Sequence, residues 1–529
     1  MFYIKLFFEL IIVSSFFFIV YYIKSTNSEN ISKKSNQSNK KMFNLIIILL
    51  LIFIGISVAD KYFQNDTFFT IALGKETLKN GVHNKEVLTY HTGFKYYNVR
   101  WLFNVVIFLI NNYMGFAGIY GFVITVTVLI SLSLYFCLYK ITSKQLLAFI
   151  ITLFAMYFSY GYFAARSQIV SMLIFIIEYY SILMLLKTCK KRYFFILLLL
   201  PVLIVNFHAS VFPFYLILYL PFIAENIVAK FKFSKKIKLV SFNLNKNIKY
   251  LYLIFLVNVL EGLISPLGLA PYTVMFNATG GVSKLIIAEL QPLDYNSSTM
   301  LFFIAYILIF TGCIPLIKTK IKAHTFFLFA GLGIISIVST RNFFLFFILG
   351  AFSLAEILDI FLEENKVFDF IYSKNGSMFL KAVGILCVII LFTPLFIRNI
   401  SKDYVDKSSY PVDATEYIIN KIDLSKYTLY NGFNYGSYLE YKGIKAFMDS
   451  RSEVYEKNYN NTDILKDYSL ISLKNEKQLD YKEFFNKYNI NLALIKKYDN
   501  FYEAQIKDDK HHCLNTIYDD DVFVLYEIH

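Results

Sequence analysis

Long apolar runs alternate with short polar tracts from the start of the chain to about residue 400. Each run approaches the ~20 residues that a helix needs to cross a bilayer, and backbone in lipid must satisfy its own hydrogen bonds. The pattern therefore predicts a mainly α-helical, polytopic transmembrane bundle of about 12 helices, the first of them retained rather than cleaved. The apolar runs fall at 3–23, 42–59, 116–138, 145–163, 168–186, 193–207, 209–227, 250–264, 300–317, 324–338, 342–361 and 379–397.

Lysine-rich tracts separate many of these runs, and cytoplasmic loops of membrane proteins are enriched in Lys and Arg. If Ser25–Lys41 is cytoplasmic and successive apolar runs cross the membrane in alternate directions, every later basic tract lies in the cytoplasm. This holds only if Trp101–Tyr113 is a juxtamembrane helix that does not span. The outer side then receives loops 60–115 and 265–299 and everything after residue 397. The later basic tracts are Lys140–Lys144, Lys187–Arg192, Lys230–Lys249 and Lys318–Lys322.

The composition supports this interpretation, since 57% of the 529 residues are hydrophobic and 19% are aromatic, above the apolar share of soluble domains. The net charge of +14 does not indicate a nucleic-acid partner, because its lysines cluster between apolar runs. The five cysteines are scattered without a CxxC pair, which supports neither a disulfide framework nor a zinc site.

From about Arg398 the composition changes to that of a soluble domain. The segments TLYNG, KAFMDSR, LALIKK and VFVLYEI are typical of short strands, and Asp413–Lys421, Asn434–Tyr441 and Lys482–Tyr488 of helices. We therefore predict a small extracytoplasmic α/β domain with a mainly parallel sheet. The predicted division is 1–41 for an extra helix and cytoplasmic linker, 42–397 for the transmembrane domain, and 398–529 for the C-terminal domain.

Several short motifs share one predicted side of the membrane, and their order resembles that of the GT-C superfamily of multi-pass glycosyltransferases. Asp66–Gly74 with Asn80-Gly81 is similar to the first-loop pattern of that family, and Tyr96–Leu102 to the aromatic segment that closes the loop. The other matching segments are Ala165–Gln168 (Arg-Pro-Gln in the family), Asn206–Ala209 (Asn-x-His-Gly), Ala288–Pro292 (Glu-Trp-x-Pro), Thr340–Asn342, Gly436–Leu439 (Gly-Gly-Tyr-Leu) and Phe447–Arg451 (Phe-Ile-Asp-Gly-Arg).

The resemblance is strongest to a largely uncharacterised bacterial branch that carries an extracytoplasmic C-terminal domain. It implies an enzyme of the cell membrane that transfers a sugar from a polyprenyl-phosphate donor to a cell-envelope glycan, lipid or protein. A divalent cation, Mg²⁺ or Mn²⁺, is left open as a cofactor. The alternative is a non-catalytic transporter, flippase or assembly factor. Transporters usually carry ionisable residues in the middle of the membrane, and Glu178 and Glu356 are candidates for such residues.

Asp66 is the leading catalytic candidate, because the family's first-loop aspartate deprotonates an acceptor hydroxyl or coordinates a metal. Partial desolvation is expected to raise its pKa and its basicity. The alternative is a helix N-cap, a role that Asp fills well. Glu289 is the second carboxylate candidate, and it could equally be a solvated loop charge.

Three further residues are candidates for contact with the donor phosphate. Arg166 and Arg341 are isolated cations at outer helix ends, where a guanidinium can bind phosphate through two hydrogen bonds or extend to lipid headgroups. His208 ends an apolar run and is either a ligand-binding or a packing residue. The secondary candidates are Asp60, Arg100, Asp449 and Arg451, the last two of which we favour as a structural ion pair.

Overall fold

A computed structural model describes residues 33–277, 281–292, 298–365, 374–472 and 479–529. The chain divides into two compact units, residues 1–51 and 52–529. The predicted helix 3–23 lies outside the described residues. Helix α1 (Lys33–Val58) begins inside the tract that was predicted as a linker. The predicted boundaries at residues 41 and 397 stay a prediction.

Helices dominate the described residues up to Ser401. They are α2 (Asn65–Asn80), α3 (Trp101–Thr142), α4 (Gln145–Phe158), α5 (Gln168–Thr188), α6 (Lys191–Phe207), α7 (Phe212–Ile217), α8 (Leu220–Val228), α9 (Ile248–Glu261), α10 (Ala270–Asn277), α11 (Ser283–Ile286), α12 (Ser298–Cys313), α13 (Ala323–Val338), α14 (Phe343–Glu364) and α15 (Lys374–Ser401). The short strands β1 (Val240–Ser241) and β2 (Ile321–Lys322) pair in parallel.

Six segments of the described chain are long and apolar enough to cross a membrane, which supports a multi-pass membrane protein. The predicted count of about 12 is not confirmed, because several apolar runs form shorter or interrupted helices. Run 145–163 contains a helix of only 14 residues, and run 250–264 also forms a helix of 14 residues. The six segments are Trp101–Thr142, Gln168–Thr188, Ala209–Val228, Thr299–Leu316, Thr340–Glu364 and Lys381–Ser401.

Helix α3 is bent at Gly115, whose φ of 61° is not helical. Glycine adopts this left-handed conformation readily because it has no Cβ. The bend separates Trp101–Tyr113, predicted as a helix that does not span, from the apolar helix that follows. The part before the bend packs against α2 and so supports the loop that carries Asp66.

Gly74 lets α2 and α3 approach each other closely. A Cβ at this position would overlap the carbonyl oxygen of Asn104 and lie 2.6 Å from Cβ of Phe108. We expect Gly74→Ala to lower the free energy of unfolding by about 1–3 kcal/mol, the usual cost of overpacking. Gly121→Ala in α3 is the matched control, since its Cβ would meet nothing within 4 Å. Equal thermal unfolding midpoints for the two variants in detergent would contradict this packing.

Residues 398–529, called the C-terminal region below, contain a four-stranded sheet in the order β3-β4-β6-β5. The pairing of β3 with β4 is parallel, whereas β6 is antiparallel to both of its neighbours. The strands are β3 (Leu429–Tyr430), β4 (Leu492–Lys496), β5 (Leu514–Asp519) and β6 (Phe523–Ile528), and the helices are α16 (Val412–Lys421), α17 (Gly436–Tyr441), α18 (Lys457–Asn460), α19 (Ile464–Ser472) and α20 (Tyr481–Lys487).

The predicted mainly parallel sheet is therefore wrong. Strand β5, which the sequence analysis missed, is only partly buried and forms a hairpin with β6, and a hairpin is antiparallel by construction. The segment KAFM is also not a strand of this sheet. It makes a single isolated bridge, between Ala446 and Thr89 of the first loop.

Candidate active site

A cavity of about 960 Å³ lies between the ends of several apolar helices and the C-terminal region. The residues that line it come from the loop before α2, the loops before α5 and α14, the end of α6, and the segments that follow β3 and β4. Motifs that are far apart in sequence therefore meet at one place. The predicted site residues that line the cavity are Asp66, Arg100, Arg166, His208, Glu289, Arg341 and Arg451.

Asp66 lies in the first turn of α2, one residue after the helix begins, and the N-cap position is occupied by Gln64. The N-cap alternative for Asp66 is therefore wrong. Its Oδ2 atom lies 3.2 Å from Nε of Arg166 and 3.6 Å from Nη1 of Arg100. Arg100 is itself held over the ring of Phe69, 4.7 Å from the ring centre. The carboxylate is thus flanked by two guanidinium groups.

The electrostatic surroundings reverse the expected pKa shift of Asp66. Burial alone would raise the pKa of this carboxyl group, but the positive charges of Arg166, Arg100 and Arg341 outweigh burial and lower it. The expectation of a raised pKa is therefore wrong, because it ignored cations that come from elsewhere in the chain. Asp66 is ionised at neutral pH and is a weaker base than an isolated buried aspartate.

Arg166 lies between two carboxylates. Its Nη1 atom donates a hydrogen bond of 2.7 Å to Oε1 of Glu289, while its Nε atom faces Asp66. The main-chain oxygen of Glu289 accepts hydrogen bonds from the hydroxyls of Ser339 and Thr340, at 3.0 and 3.1 Å. The loop that carries Glu289 is thereby tied to the segment that carries Arg341, and Arg166 holds both candidate carboxylates in place.

Arg341 and His208 border the same cavity but differ in charge. Arg341 is exposed at the start of the segment leading into α14. His208 is buried, and Ser171 Oγ lies 2.7 Å from its Nδ1. Burial, followed by the charges of Arg100 and Arg341, keeps the pKa of His208 well below its usual value. His208 is therefore neutral at pH 7 and can offer a hydrogen bond, but not a positive charge, to a bound phosphate.

The described residues do not form a site that fits a divalent cation. They contain no group of three His, Cys, Asp or Glu side chains placed to bind a metal. Mg²⁺ prefers six oxygen ligands in octahedral geometry, whereas Asp66 and Glu289 each already face the Arg166 guanidinium. The cation that the resemblance left open stays a prediction, and no step below depends on it.

Two of the predicted residues lie outside the cavity lining. Asp60 Oδ1 accepts a hydrogen bond of 2.8 Å from Lys402 Nζ and another from the backbone amide of Tyr62. It fixes the start of the first loop against the residue that follows α15. Asp449 is fully buried behind the cavity.

A buried ion cluster joins the first loop to the C-terminal region. Arg451, 2% exposed, donates to Glu86 at 2.6 Å, to Glu440 at 3.1 Å and to Asp449. Burial, and then the charge of Asp449, raise the pKa of Glu440 well above its usual value. The pairing of Asp449 with Arg451 was anticipated, but its two glutamate partners were not.

Backbone contacts reinforce the same junction. The amide of Ala446 donates to the carbonyl of Leu88 at 3.3 Å, and His91 Nε2 lies 2.7 Å from the carbonyl of Phe447. The side chain of Asn460 accepts from the amide of Lys95 at 2.8 Å. The first loop is therefore docked on the C-terminal region along residues 86–97.

We expect Arg451→Met to weaken this docking by about 3–5 kcal/mol, because removing one partner leaves buried carboxylates without a counter-charge. Hydrogen exchange of the amides in residues 82–98 measures the opening free energy. The control is Lys426→Gln, whose exposed pair with Asp423 at 3.4 Å is worth at most about 1 kcal/mol. Unchanged protection of the loop in Arg451→Met would show that the cluster does not hold it.

Apart from Arg451, the sequence analysis missed the contribution of the C-terminal region to the cavity lining. Tyr410, Tyr435, Glu453 and Lys496 all line it. One signal was available, since Lys496 ends the buried strand β4 and Lys497 follows it, where a side chain can reach a site at the end of a sheet. The tyrosines had no such signal among the 42 in the chain.

No protein-family model matches the sequence, and no curated protein matches it. Among solved structures, the chain is similar to the oligosaccharyltransferase of Archaeoglobus fulgidus, crystallised with a tethered acceptor peptide that contains the NVT sequon. The match has a TM-score of 0.58 and 13% sequence identity, and it covers 93% of this chain and 74% of that one. At this identity the likeness shows a shared fold, which is of the GT-C type. Membership of the superfamily and of its bacterial polyprenyl-phosphate-sugar branch stays a prediction.

The lowered pKa of Asp66 predicts the acid side of a pH–rate profile. The usual pKa of an aspartate carboxyl group is 3.8. When folding lowers this pKa, the group stays ionised at every pH above 3.8, and it loses its ion pairs only as the pH falls through the lower pKa of the folded state. We expect the Asp66-dependent rate to stay level between about pH 7 and pH 4.

Glu453 supplies the control for this profile, because it lines the same cavity and burial raises its pKa. The substitution Glu453→Gln removes any fall in rate at low pH that protonation of this second carboxyl group would cause. A decline in transfer rate centred between about pH 5 and pH 7 that persists in Glu453→Gln would contradict the assignment of Asp66 as a low-pKa carboxylate.

Proposed function

We propose that the protein is an integral-membrane glycosyltransferase that moves a sugar from a polyprenyl-phosphate carrier to an acceptor on the outer side of the cell membrane. The observation that carries the proposal is the convergence of Asp66, Arg166 and Arg341 on one cavity of about 960 Å³. That volume is at the upper end of the range for small-molecule sites, about 300–1,000 Å³, and suits a sugar together with a phosphate group.

Arg341 is proposed to bind the donor phosphate. It is exposed and lines the cavity, whereas Arg100 and Arg166 are engaged with Asp66. A guanidinium presents donors that match two phosphate oxygens. When the bond between the anomeric carbon and the phosphate oxygen breaks, its electron pair remains on that oxygen. The positive charge of Arg341 stabilises the negative charge that develops there.

Asp66 is proposed to orient the acceptor nucleophile. Its carboxylate accepts the nucleophile's hydrogen bond, and it takes the proton as the new bond forms at the anomeric carbon from the face opposite the leaving phosphate. The nucleophile becomes more acidic as that bond forms, so a weak base is sufficient. Arg166 and Arg100 hold the carboxylate ionised and fixed in direction, which is a positioning role.

The nature of the acceptor is open between an envelope glycan, a lipid and a protein. The similar archaeal enzyme was crystallised with an acceptor peptide, which makes a peptide one candidate here. The C-terminal region borders the cavity through Tyr410 and Tyr435, and aromatic faces pack well on both peptides and sugars. We propose that this region selects the acceptor and lies outside the cytoplasm.

The transporter alternative receives less support from the structure. Glu178 is completely buried, and it does not line the cavity that holds Asp66. Glu356 lies near the far end of α14 and pairs with Lys322. Neither glutamate lines the cavity that holds Asp66, Arg166 and Arg341.

The decisive experiment compares lipid-linked sugars in cells that lack the gene and in cells complemented with the wild type or with Asp66→Asn. We expect one polyprenyl-phosphate-linked sugar to accumulate in the deletion strain and in the Asp66→Asn strain, but not in the wild type. Identical lipid-linked sugar profiles in all three strains would refute a transfer from such a donor.

A further inference from the structure

A second cavity, of about 430 Å³, lies at the opposite end of helices that border the first one. Arg166 precedes α5 at the first cavity, and Lys187 near the end of α5 lines the second. Along α14, Arg341 precedes the helix at the first cavity, and Glu356 lines the second cavity. Since α5 has 21 residues and rises 1.5 Å per residue, about 32 Å separates its ends, close to the thickness of a bilayer's hydrocarbon core.

The inner wall of this second cavity is built from buried polar groups. Glu225 accepts backbone hydrogen bonds from Asn243 at 3.2 Å and from His324 at 3.1 Å, and it also contacts His324 Nδ1. The ring of Phe222 stacks on the imidazole, 4.6 Å between centres. These contacts fix the direction of the His324 ring and favour a proton on the nitrogen that faces Glu225.

Two nitrogen atoms in this wall have no hydrogen-bond partner among the described residues. They are Nε2 of His324 and Nδ2 of Asn226, in residues that are only 8% and 4% exposed. Both residues line the cavity. The amide oxygen of Asn226 accepts from the hydroxyl of Tyr252 at 3.5 Å, which orients its NH₂ group. Buried polar atoms are normally paired, so unpaired ones on a cavity wall indicate a ligand.

The charges around the cavity favour an anion. Lys140, Lys187 and Lys322 line it against two glutamates, Glu225 and Glu356. Glu356 is paired with Lys322, and the ammonium groups of Lys140 and Lys187 outnumber the one remaining carboxylate, that of Glu225. An amide NH₂ and an ammonium can only donate hydrogen bonds. A ligand with several acceptor oxygens pointing in different directions satisfies them, as a phosphate group does.

We propose that this second cavity binds a phosphate group, with the NH₂ group of Asn226 donating to a phosphate oxygen, Nε2 of His324 accepting from a phosphate hydroxyl, and Lys140 and Lys187 at the entrance. The group is carried either by a membrane phospholipid or by a free phosphate, since both present the same oxygens. The site is independent of the sugar-transfer site and lies a membrane thickness from it.

The test measures binding by isothermal titration calorimetry to the full-length protein in detergent. The probes are dihexanoyl phosphatidic acid, inorganic phosphate and, as a zwitterionic comparison, dihexanoyl phosphatidylcholine. Asn226→Asp keeps the acceptor oxygen for Tyr252 but replaces the donor by a negative charge, so we expect phosphate affinity to fall about tenfold or more. Lys187→Ala, at an exposed position, should weaken it about threefold or more.

Lys190→Ala is the matched control, because Lys190 belongs to the same basic tract but does not line the cavity. Arg341→Gln reports any contribution from the first cavity. Binding of phosphatidic acid alone, weakened by Asn226→Asp, supports the lipid source, and binding of both phosphate probes supports a free phosphate group. Affinities unchanged in both Asn226→Asp and Lys187→Ala, loss of binding only in Arg341→Gln, or no binding of either phosphate probe would overturn the proposal.

Discussion

Asp66→Asn should lower the rate of sugar transfer by about a hundredfold to ten-thousandfold, the range associated with a proton-accepting group. The substitution preserves the shape of the side chain but removes its negative charge. Arg100 and Arg166, at 3.6 and 3.2 Å from the carboxylate, would then lack the charge that they hold in place. The assay is transfer of a labelled sugar from a purified polyprenyl-phosphate donor by membranes containing the variant.

Asp60→Asn is the matched control for this loss. Asp60 lies in the same loop and is also an ion-paired carboxylate, but its partner is Lys402 and it does not line the cavity. We expect it to retain most of the wild-type transfer rate. Equal losses in the two variants would mean that the loop requires charge for its structure, and near-normal transfer by Asp66→Asn would remove Asp66 from the mechanism.

Arg341→Gln is expected to weaken donor binding about 10-fold to 150-fold, since a hydrogen bond to a charged group contributes about 1.5–3 kcal/mol. If the guanidinium also stabilises the departing phosphate, kcat falls together with the apparent donor affinity. The measurement is a series of initial transfer rates over a range of donor concentrations, which separates KM from kcat.

The alternative role for Arg341 is contact with lipid headgroups, and Arg398→Gln tests that role. Arg398 is an exposed arginine near the end of α15, and it does not line the cavity. We expect its substitution to leave both kinetic constants nearly unchanged. Parallel losses in the two arginine variants would assign both residues to interaction with the bilayer rather than with the donor.

The membrane architecture could be predicted in outline because apolar runs are local features of a sequence. The helices around Arg166 and Arg341 begin within a few residues of their predicted positions. The sidedness argument predicted that Asp66, Arg166 and Arg341 belong to one site, and the structure places them around one cavity. The predicted number of spanning helices is not confirmed, because several apolar runs form helices shorter than a full span.

Features that depend on distant residues were not accessible from the sequence. The direction of the Asp66 pKa shift depends on Arg100 and Arg166, whose distances from the carboxylate follow from tertiary packing. The partners of Arg451 include Glu86, which is 365 residues away in the chain. The predicted direction of the strands in the small sheet was wrong, because strand β5 is partly polar and its sequence shows no clear strand pattern.

The docking of residues 86–97 on the C-terminal region restricts how this protein can be recombined with others. Arg451 needs carboxylates from both segments, so a chimera that exchanges the C-terminal region alone would leave a glutamate or an arginine buried without its opposite charge. We therefore expect a functional hybrid to require both segments from the same parent. Attempts to redirect acceptor choice should therefore transplant the first loop and the C-terminal region as a pair.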